Sequence, residues 1–278
     1  MSFKNVILNS LKESFSVIWK NKALFVLLFV LQVIFFAVFS SINVAYQTKI
    51  LENMKSITTY LSQQKLDESS VTSNILQRKN ILGDDPLSIS RNFNEILLNF
   101  RIYLIYVFAL LIFFLSLAWS ITHMVMHKDS FKQLAKNFFK SLLVLSFYLG
   151  LIFSFFLSLL SIAFTQIASE SAKLFTKYIP FLIFSIILVY FMFISLALII
   201  KTELRNIVQR TLSTGIRRMH YISAVYFICI VLFVIPIAFL YYFLEQNMFI
   251  VMLSLILMVF SFVFGRILII NVVEKLEN

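Results

Sequence analysis

Two histidines in the stretch "HMVMH" are the residues of this chain best suited to metal chemistry. His123 and His127 stand at i and i+4, a spacing that places two imidazoles on one helix face, where both can bind one metal ion. Further ligands are sought among the residues expected on the same side: Asp129, Glu203 and His220. The stretch lacks the glutamate of the HExxH metalloprotease motif. We therefore expect no metal and no cofactor, and interpret the pair as an anchor beside Trp119.

A second feature that could do chemistry is a stripe of small and hydroxylated residues in the third long apolar segment. The stripe comprises Ser146, Gly150, Ser154, Ser158, Ser161 and Thr165. Successive members are three or four positions apart, so all six share one helix face. Small residues let helices approach closely and hydroxyls bond between them, so the stripe favours a helix-packing seam. The alternative is a polar pathway or a track for lipid headgroups.

Both features lie in long apolar segments that are expected to be helices. The composition fits such segments, since 60% of the 278 residues are hydrophobic and only 13% are charged. A membrane-spanning helix needs about 20 mostly apolar residues. Six segments meet this requirement: Ala23–Tyr46, Ile102–Met126, Leu142–Ala168, Tyr178–Ile200, Tyr221–Leu244 and Met248–Val273. The chain has only four glycines and three prolines to interrupt them. The pattern predicts an all-α integral membrane protein with six transmembrane helices arranged as three hairpins.

The distribution of charge predicts the orientation of these helices. If the N-terminus lies inside, the inside segments hold 15 of the 24 Lys and Arg residues but only 5 of the 13 Asp and Glu residues. Because Lys and Arg accumulate in cytoplasmic loops, both termini are expected in the cytoplasm and the protein in the cell (plasma) membrane. Arg266, within the sixth segment, is expected near the headgroups, where its long side chain can reach water.

The chain is predicted to be one polytopic membrane domain that covers residues 1–278. Residues 47–101 are predicted to form a long extracytoplasmic loop. Apolar residues recur at helical spacing in the first part of this loop, at Ile50, Met54, Ile57 and Leu61. The first two spans are therefore expected to continue into the loop as helices. A turn is expected at "GDDP", Gly83–Pro86.

A basic amphipathic segment precedes the first, third and fifth predicted spans. In each segment apolar residues recur every three or four positions and are opposed by Lys or Arg. The apolar sets are Phe3, Ile7, Leu11, Phe15 and Ile18; Phe131, Leu134, Ala135, Phe138 and Leu142; and Leu204, Ile207, Val208, Leu212 and Ile216. Such helices lie in the membrane interface with the apolar side down. We therefore expect each hairpin to follow a basic interfacial helix.

The basic residues of the expected cytoplasmic face are the predicted binding surface. The members singled out are Lys128, Lys132, Lys136, Lys140, Arg205, Arg210, Arg217 and Arg218. Cations near an anionic leaflet attract its headgroups. We predict a non-enzymatic multi-pass membrane protein whose partners are the lipid bilayer, with its anionic lipids, or an acidic protein. No nucleic-acid partner is expected.

Two other functions are considered. An N-terminal interfacial helix, six spans and a large first outside loop are similar to a transport permease that is paired with a separate ATPase. No acidic residue lies in the middle of a predicted span, which argues against an ion-coupled carrier. A membrane-embedded enzyme that acts on lipids would need convergent acid, base or metal groups, and only His123 and His127 offer them.

The repeated unit of interfacial helix and hairpin resembles a group of six-helix prokaryotic membrane-protein families. Among them is the membrane domain fused to some glycerophosphodiester phosphodiesterases. The resemblance covers most of the chain and lies in its architecture, without a diagnostic motif. It implies a prokaryotic inner-membrane protein. Because no phosphodiesterase catalytic domain is found within these residues, it implies no enzymatic role.

Overall fold

The computed structural model describes residues 3–63, 87–127, 130–166, 171–245 and 247–277, and within these ranges the regular secondary structure is helical, with no strand. Side chains are described for the same residues except 3–4, 63, 160–166 and 171–178. The eight α-helices of the described ranges are α1 (Phe3–Lys20), α2 (Lys22–Gln63), α3 (Leu87–His127), α4 (Phe131–Gln166), α5 (Ser171–Leu198), α6 (Ile207–Arg217), α7 (Met219–Phe243) and α8 (Met248–Glu277). A short 3₁₀ turn, Leu204–Asn206, leads into α6. The predicted all-α fold is confirmed.

Six of these helices, namely α2, α3, α4, α5, α7 and α8, are long and apolar enough to cross a membrane. Their outward faces carry many large apolar side chains, and soluble proteins rarely expose apolar surface of this extent. On α7, for example, Phe227 and Ile230 are 66% and 58% exposed. A lipid environment covers such side chains at no cost, so the exposed apolar surface agrees with six membrane-spanning helices.

The chain divides into two compact units. Unit 1 comprises Met1–Ile34 and Ile112–Asn278, and unit 2 comprises Phe35–Leu111. Within unit 1, α4 packs on α5, and α7 packs on α8. These two antiparallel pairs correspond to the second and third predicted hairpins.

The C-terminal half of α8 is the centre of unit 1. Every residue from Val263 to Val273 is buried, and α8 contacts α1, α5, α6 and α7. The N-terminal half of the same helix is largely exposed, with Met248 and Phe249 each 74% accessible. A helix that is apolar all round is buried in protein or in lipid, and α8 combines both situations along its length.

The three amphipathic segments differ in how they join their spans. A turn at Asn21 separates α1 from α2, and a turn at Arg218 separates α6 from α7. The segment that begins at Phe131 has no such break, because α4 runs continuously to Gln166. The second amphipathic segment is therefore the first part of a spanning helix and not a separate one.

α6 has two faces of different character. Its buried face consists of Ile207, Thr211 and Gly215 and packs on α5. An added Cβ at Gly215 would lie 2.7 Å from Cε1 of Phe191, so only glycine permits this close approach. Most of the predicted apolar set lies on the outward face, at Leu204, Val208, Leu212 and Ile216.

In unit 2, α2 continues without interruption to Gln63 and α3 begins at Leu87. The ring of Tyr46 lies 6.0 Å from that of Tyr103, and the Tyr103 hydroxyl donates a hydrogen bond to Oδ1 of Asn43 over 3.4 Å. These contacts pair the two helices at the ends of the first two predicted spans, next to residues 47–101. The turn predicted at Gly83–Pro86 lies outside the described residues.

Candidate functional site

The polar and charged groups of unit 1 concentrate where α1, α6 and the C-terminal ends of α3 and α8 meet. We call this region the charged end and define it by six residues that pair there: Glu13, His127, Arg210, Glu274, Lys275 and Glu277. Nζ of Lys275 lies 2.6 Å from Glu13, Nη1 of Arg210 lies 3.0 Å from Glu277, and Nε2 of His127 lies 2.8 Å from Glu274. The last turn of α8 thus contacts three other helices.

Three of the predicted basic residues meet in one depression at the charged end. This depression, the arginine recess, has a volume of about 320 Å³ and is lined by Arg210, Ser213, Thr214, Arg217, Arg218, Leu276 and Glu277. All three arginines are exposed, and Arg210 donates to Oε1 of Glu277. One carboxylate faces three guanidinium groups, so the recess keeps a net positive charge at neutral pH.

The remaining predicted basic residues do not line the arginine recess. Lys132, Lys136 and Arg205 are exposed on α4 and on the 3₁₀ turn. Lys140 is half-buried and donates from Nζ to the backbone oxygens of Ile199 (3.1 Å) and Thr202 (3.3 Å). It satisfies two carbonyl groups just after the last residue of α5, a structural role that charge counting does not predict. Lys128 lies outside the described residues.

The histidine pair lies beside the same end of α8. His123 is fully buried, and its Nε2 lies 2.8 Å from the backbone oxygen of Leu196. The two imidazole rings are nearly parallel with centroids 6.3 Å apart. One ring nitrogen of each histidine and one carboxylate oxygen of Glu274 lie within 4.8 Å of one another. The structure thus brings together three side chains that can bind a metal ion, two imidazoles and one carboxylate.

Glu274 is the residue that sequence reasoning missed. It stands 147 positions after His127, so no local spacing connects the two. The available signal was its position: it follows the sixth predicted span directly, at the side of the membrane where the histidines were placed. Of the three residues considered instead, Glu203 and His220 are exposed and do not join the cluster. Asp129 lies outside the described residues.

The middle of the small-residue stripe faces outward, at Ser154 and Ser158. Both side chains are exposed, and an added Cβ at Gly150 would meet nothing within 4 Å. Ser146 is partly buried, and the side chains of Ser161 and Thr165 lie outside the described residues. The packing seam stays a prediction that would require a second copy or another protein to fill the open face.

A chain of hydroxyl groups links α4, α5 and α6 behind the charged end. The Tyr148 hydroxyl and Oγ of Ser195 lie 3.0 Å apart, and Oγ of Ser195 lies 3.0 Å from Oγ1 of Thr211. All three side chains are buried. Because an unpaired hydroxyl in an apolar interior is costly, this chain fixes the position of α6 and hence of the arginines on it.

Arg266 departs from the sequence prediction. Its side chain is only 7% exposed, and Nη1 donates to Oε1 of Gln32 over 3.3 Å. The predicted extension of this side chain toward the headgroups is therefore wrong. The reason is that α8 is enclosed by protein at this level, so a polar partner on α2 replaces water.

The fold and this site define a class: the chain is a multi-pass α-helical membrane protein with a charged end built around the terminus of α8. No protein-family model, curated protein or solved structure matches the chain. The resemblance to six-helix prokaryotic families therefore stays a prediction.

Proposed function

We propose that this protein is a non-enzymatic membrane protein that binds the phosphate headgroup of anionic lipids in the arginine recess. The observation that carries the proposal is the convergence of Arg210, Arg217 and Arg218 with the hydroxyl-bearing Ser213 and Thr214 in one depression. Guanidinium groups bind phosphate oxygens through paired, charge-assisted hydrogen bonds. Hydroxyl groups supply further donors of the kind that such a headgroup requires.

The outward face of α6 supports the same proposal. Leu204, Val208, Leu212 and Ile216 recur every four residues and are exposed, next to the arginines of the recess. A helix with this pattern rests on a bilayer with its apolar side among the acyl chains. The arginines would then stand at headgroup level, where each cation near an anionic leaflet contributes about 1 kcal/mol.

Lipid retention after purification tests the proposal. The protein is extracted in a mild detergent, exposed to phosphatidylglycerol or phosphatidylcholine, and examined by native mass spectrometry. We expect the wild type to retain phosphatidylglycerol in preference to phosphatidylcholine. The triple variant Arg210→Gln, Arg217→Gln, Arg218→Gln should lose this preference, because each substitution removes one guanidinium from the recess.

The control removes the same number of cations elsewhere. Lys55, Arg91 and Arg101 are exposed cations of unit 2, and their triple replacement by Gln should leave the lipid preference unchanged. Equal retention by the recess variant and the wild type would overturn the proposal. Loss of a copurifying acidic protein in the recess variant, with lipid retention intact, would favour a protein partner instead.

The transport alternative stays a prediction. Copurification of the wild-type protein with an ATPase in stoichiometric amount would support it. The recess variants then show whether that ATPase docks on the charged end or elsewhere.

A further inference from the structure

We propose that His123, His127 and Glu274 form a binding site for a divalent transition-metal ion, with Zn²⁺ as the best-suited metal. The three side chains supply two imidazole nitrogens and one carboxylate oxygen within 4.8 Å of one another. Two histidines and one glutamate are a ligand set that zinc uses in proteins, with the fourth position left to water. The site is independent of lipid binding in the arginine recess.

The buried histidine is set up as a ligand by its backbone contact. The carbonyl oxygen of Leu196 can only accept, so Nε2 of His123 carries the proton of the bond they share. In the neutral imidazole, Nδ1 then holds a lone pair. This atom is buried and has no hydrogen-bond partner among the described residues. Metal-binding histidines commonly donate their other ring N–H to a backbone carbonyl, which fixes the ring and its tautomer.

The other two ligands already lie in contact and are accessible. Nε2 of His127 lies 2.8 Å from Oε1 of Glu274, and their side chains are 29% and 13% exposed. A metal ion can therefore reach the pair from solvent, in place of the proton they share. Zinc–nitrogen bonds of about 2.0 Å put neighbouring ligand atoms about 3.3 Å apart in a tetrahedral site. Side-chain rotation must thus shorten the largest ligand separation by about 1.5 Å.

The two histidines come from α3 and the glutamate from α8. A bound ion would therefore join these helices at the charged end and replace the hydrogen bond between His127 and Glu274 by coordinate bonds. His127 and Glu274 already hydrogen-bond to each other when no ion is bound. We therefore expect the occupancy of the site to follow the concentration of available metal.

Metal titration of the purified full chain tests the site. The protein in detergent is treated with a chelator, dialysed, and titrated with Zn²⁺ by isothermal calorimetry, with metal content measured by mass spectrometry. We expect one Zn²⁺ per chain. Co²⁺ should give the visible absorption bands of a tetrahedral site. Glu274→Gln keeps the size of the side chain and removes the charged ligand, so it should weaken Zn²⁺ binding by more than the roughly 10- to 100-fold typical of an outer-shell change.

Glu277→Gln is the matched control, because Glu277 is also an ion-paired carboxylate in the last turn of α8 but contacts Arg210. This variant should bind Zn²⁺ as the wild type does. His127→Gln provides a second ligand variant, with gel filtration and circular dichroism to verify folding of each. The proposal is overturned if the wild type binds no Zn²⁺, or if a folded ligand variant binds it as tightly as the wild type.

Discussion

At the scale of single residues, Arg266 is a buried charged side chain with few polar partners. Its Nη1 bonds to Gln32, whereas Nε and Nη2 have no hydrogen-bond partner among the described residues. A guanidinium inside a membrane helix carries a penalty of about 3 kcal/mol on insertion scales. A single neutral amide offsets only part of it, since hydrogen bonds to charged groups contribute about 1.5–3 kcal/mol.

We predict that Arg266→Met raises the thermal unfolding midpoint of the detergent-solubilised protein. Methionine fills a similar volume without charge, and replacing poorly compensated buried charges by apolar groups is often neutral or stabilising by about 1–4 kcal/mol. Gln32→Leu should lower the midpoint, because it leaves the guanidinium without the amide. A lower midpoint for Arg266→Met would show that the charge has a stabilising partner.

The contacts and burial of individual side chains were harder to predict from sequence than the helices. His123 and His127 were found because both lie on one helix turn, where spacing alone places them together. Glu274 and Gln32 were not connected to their partners, because those contacts join helices that are distant in sequence. The burial of Arg266 depends on which part of α8 is enclosed by protein, and an apolar sequence does not distinguish protein from lipid as its surroundings.

At the scale of helices, the glycines of α6 and α4 have opposite environments. Gly215 lets α6 lie against Phe191 of α5, and the Tyr190 hydroxyl donates to the Gly215 carbonyl over 2.8 Å. Gly150 faces open space in the described part of the chain. The close contact between α6 and α5 therefore depends on the missing side chain of Gly215, whereas a side chain could be added at Gly150 without a clash.

We predict that Gly215→Ala destabilises the protein by about 1–3 kcal/mol, because the new methyl group forces α6 away from α5. Gly150→Ala should be neutral or stabilise by up to about 1 kcal/mol through helix propensity. Thermal unfolding of both variants in one detergent compares them directly. If Gly150→Ala is as harmful as Gly215→Ala, the outward stripe is filled by another chain, as the predicted packing seam requires.

The helices themselves were largely predictable. Long apolar runs with few glycines and prolines leave a chain in a membrane no alternative to helix, since every backbone group must be bonded internally. The start of the third span was harder, because the basic segment after Phe131 continues as helix into the apolar run. Pro180 stands near the predicted start of the fourth span at Tyr178 but lies within α5, which begins at Ser171, because apolarity marks where a span enters lipid and not where its helix begins.

At the scale of the whole molecule, charge asymmetry makes a prediction about sidedness. Lys12 on α1 and Lys132 on α4 are exposed on segments predicted to face the cytoplasm, and Glu245 follows α7 on the predicted opposite side. Cys229 is the only cysteine of the chain, so a Cys229→Ser background permits single-cysteine labelling. A membrane-impermeant maleimide on intact cells should label Glu245→Cys alone.

Cell lysis provides the control for that experiment, because Lys12→Cys and Lys132→Cys should then react as well. Labelling of either lysine variant in intact cells would contradict the predicted orientation. The orientation stays a prediction, which rests only on counts of Lys and Arg. The division into two compact units could not be predicted, since it depends on which helices pack together along their lengths.

The last turn of α8 connects three other helices through ion pairs. Glu274, Lys275 and Glu277 form ion pairs with α3, α1 and α6, respectively. Truncation after Val273 would therefore remove all three pairs and keep the buried apolar part of α8. A fusion partner attached after Asn278 consequently needs a spacer long enough to leave these three ion pairs undisturbed.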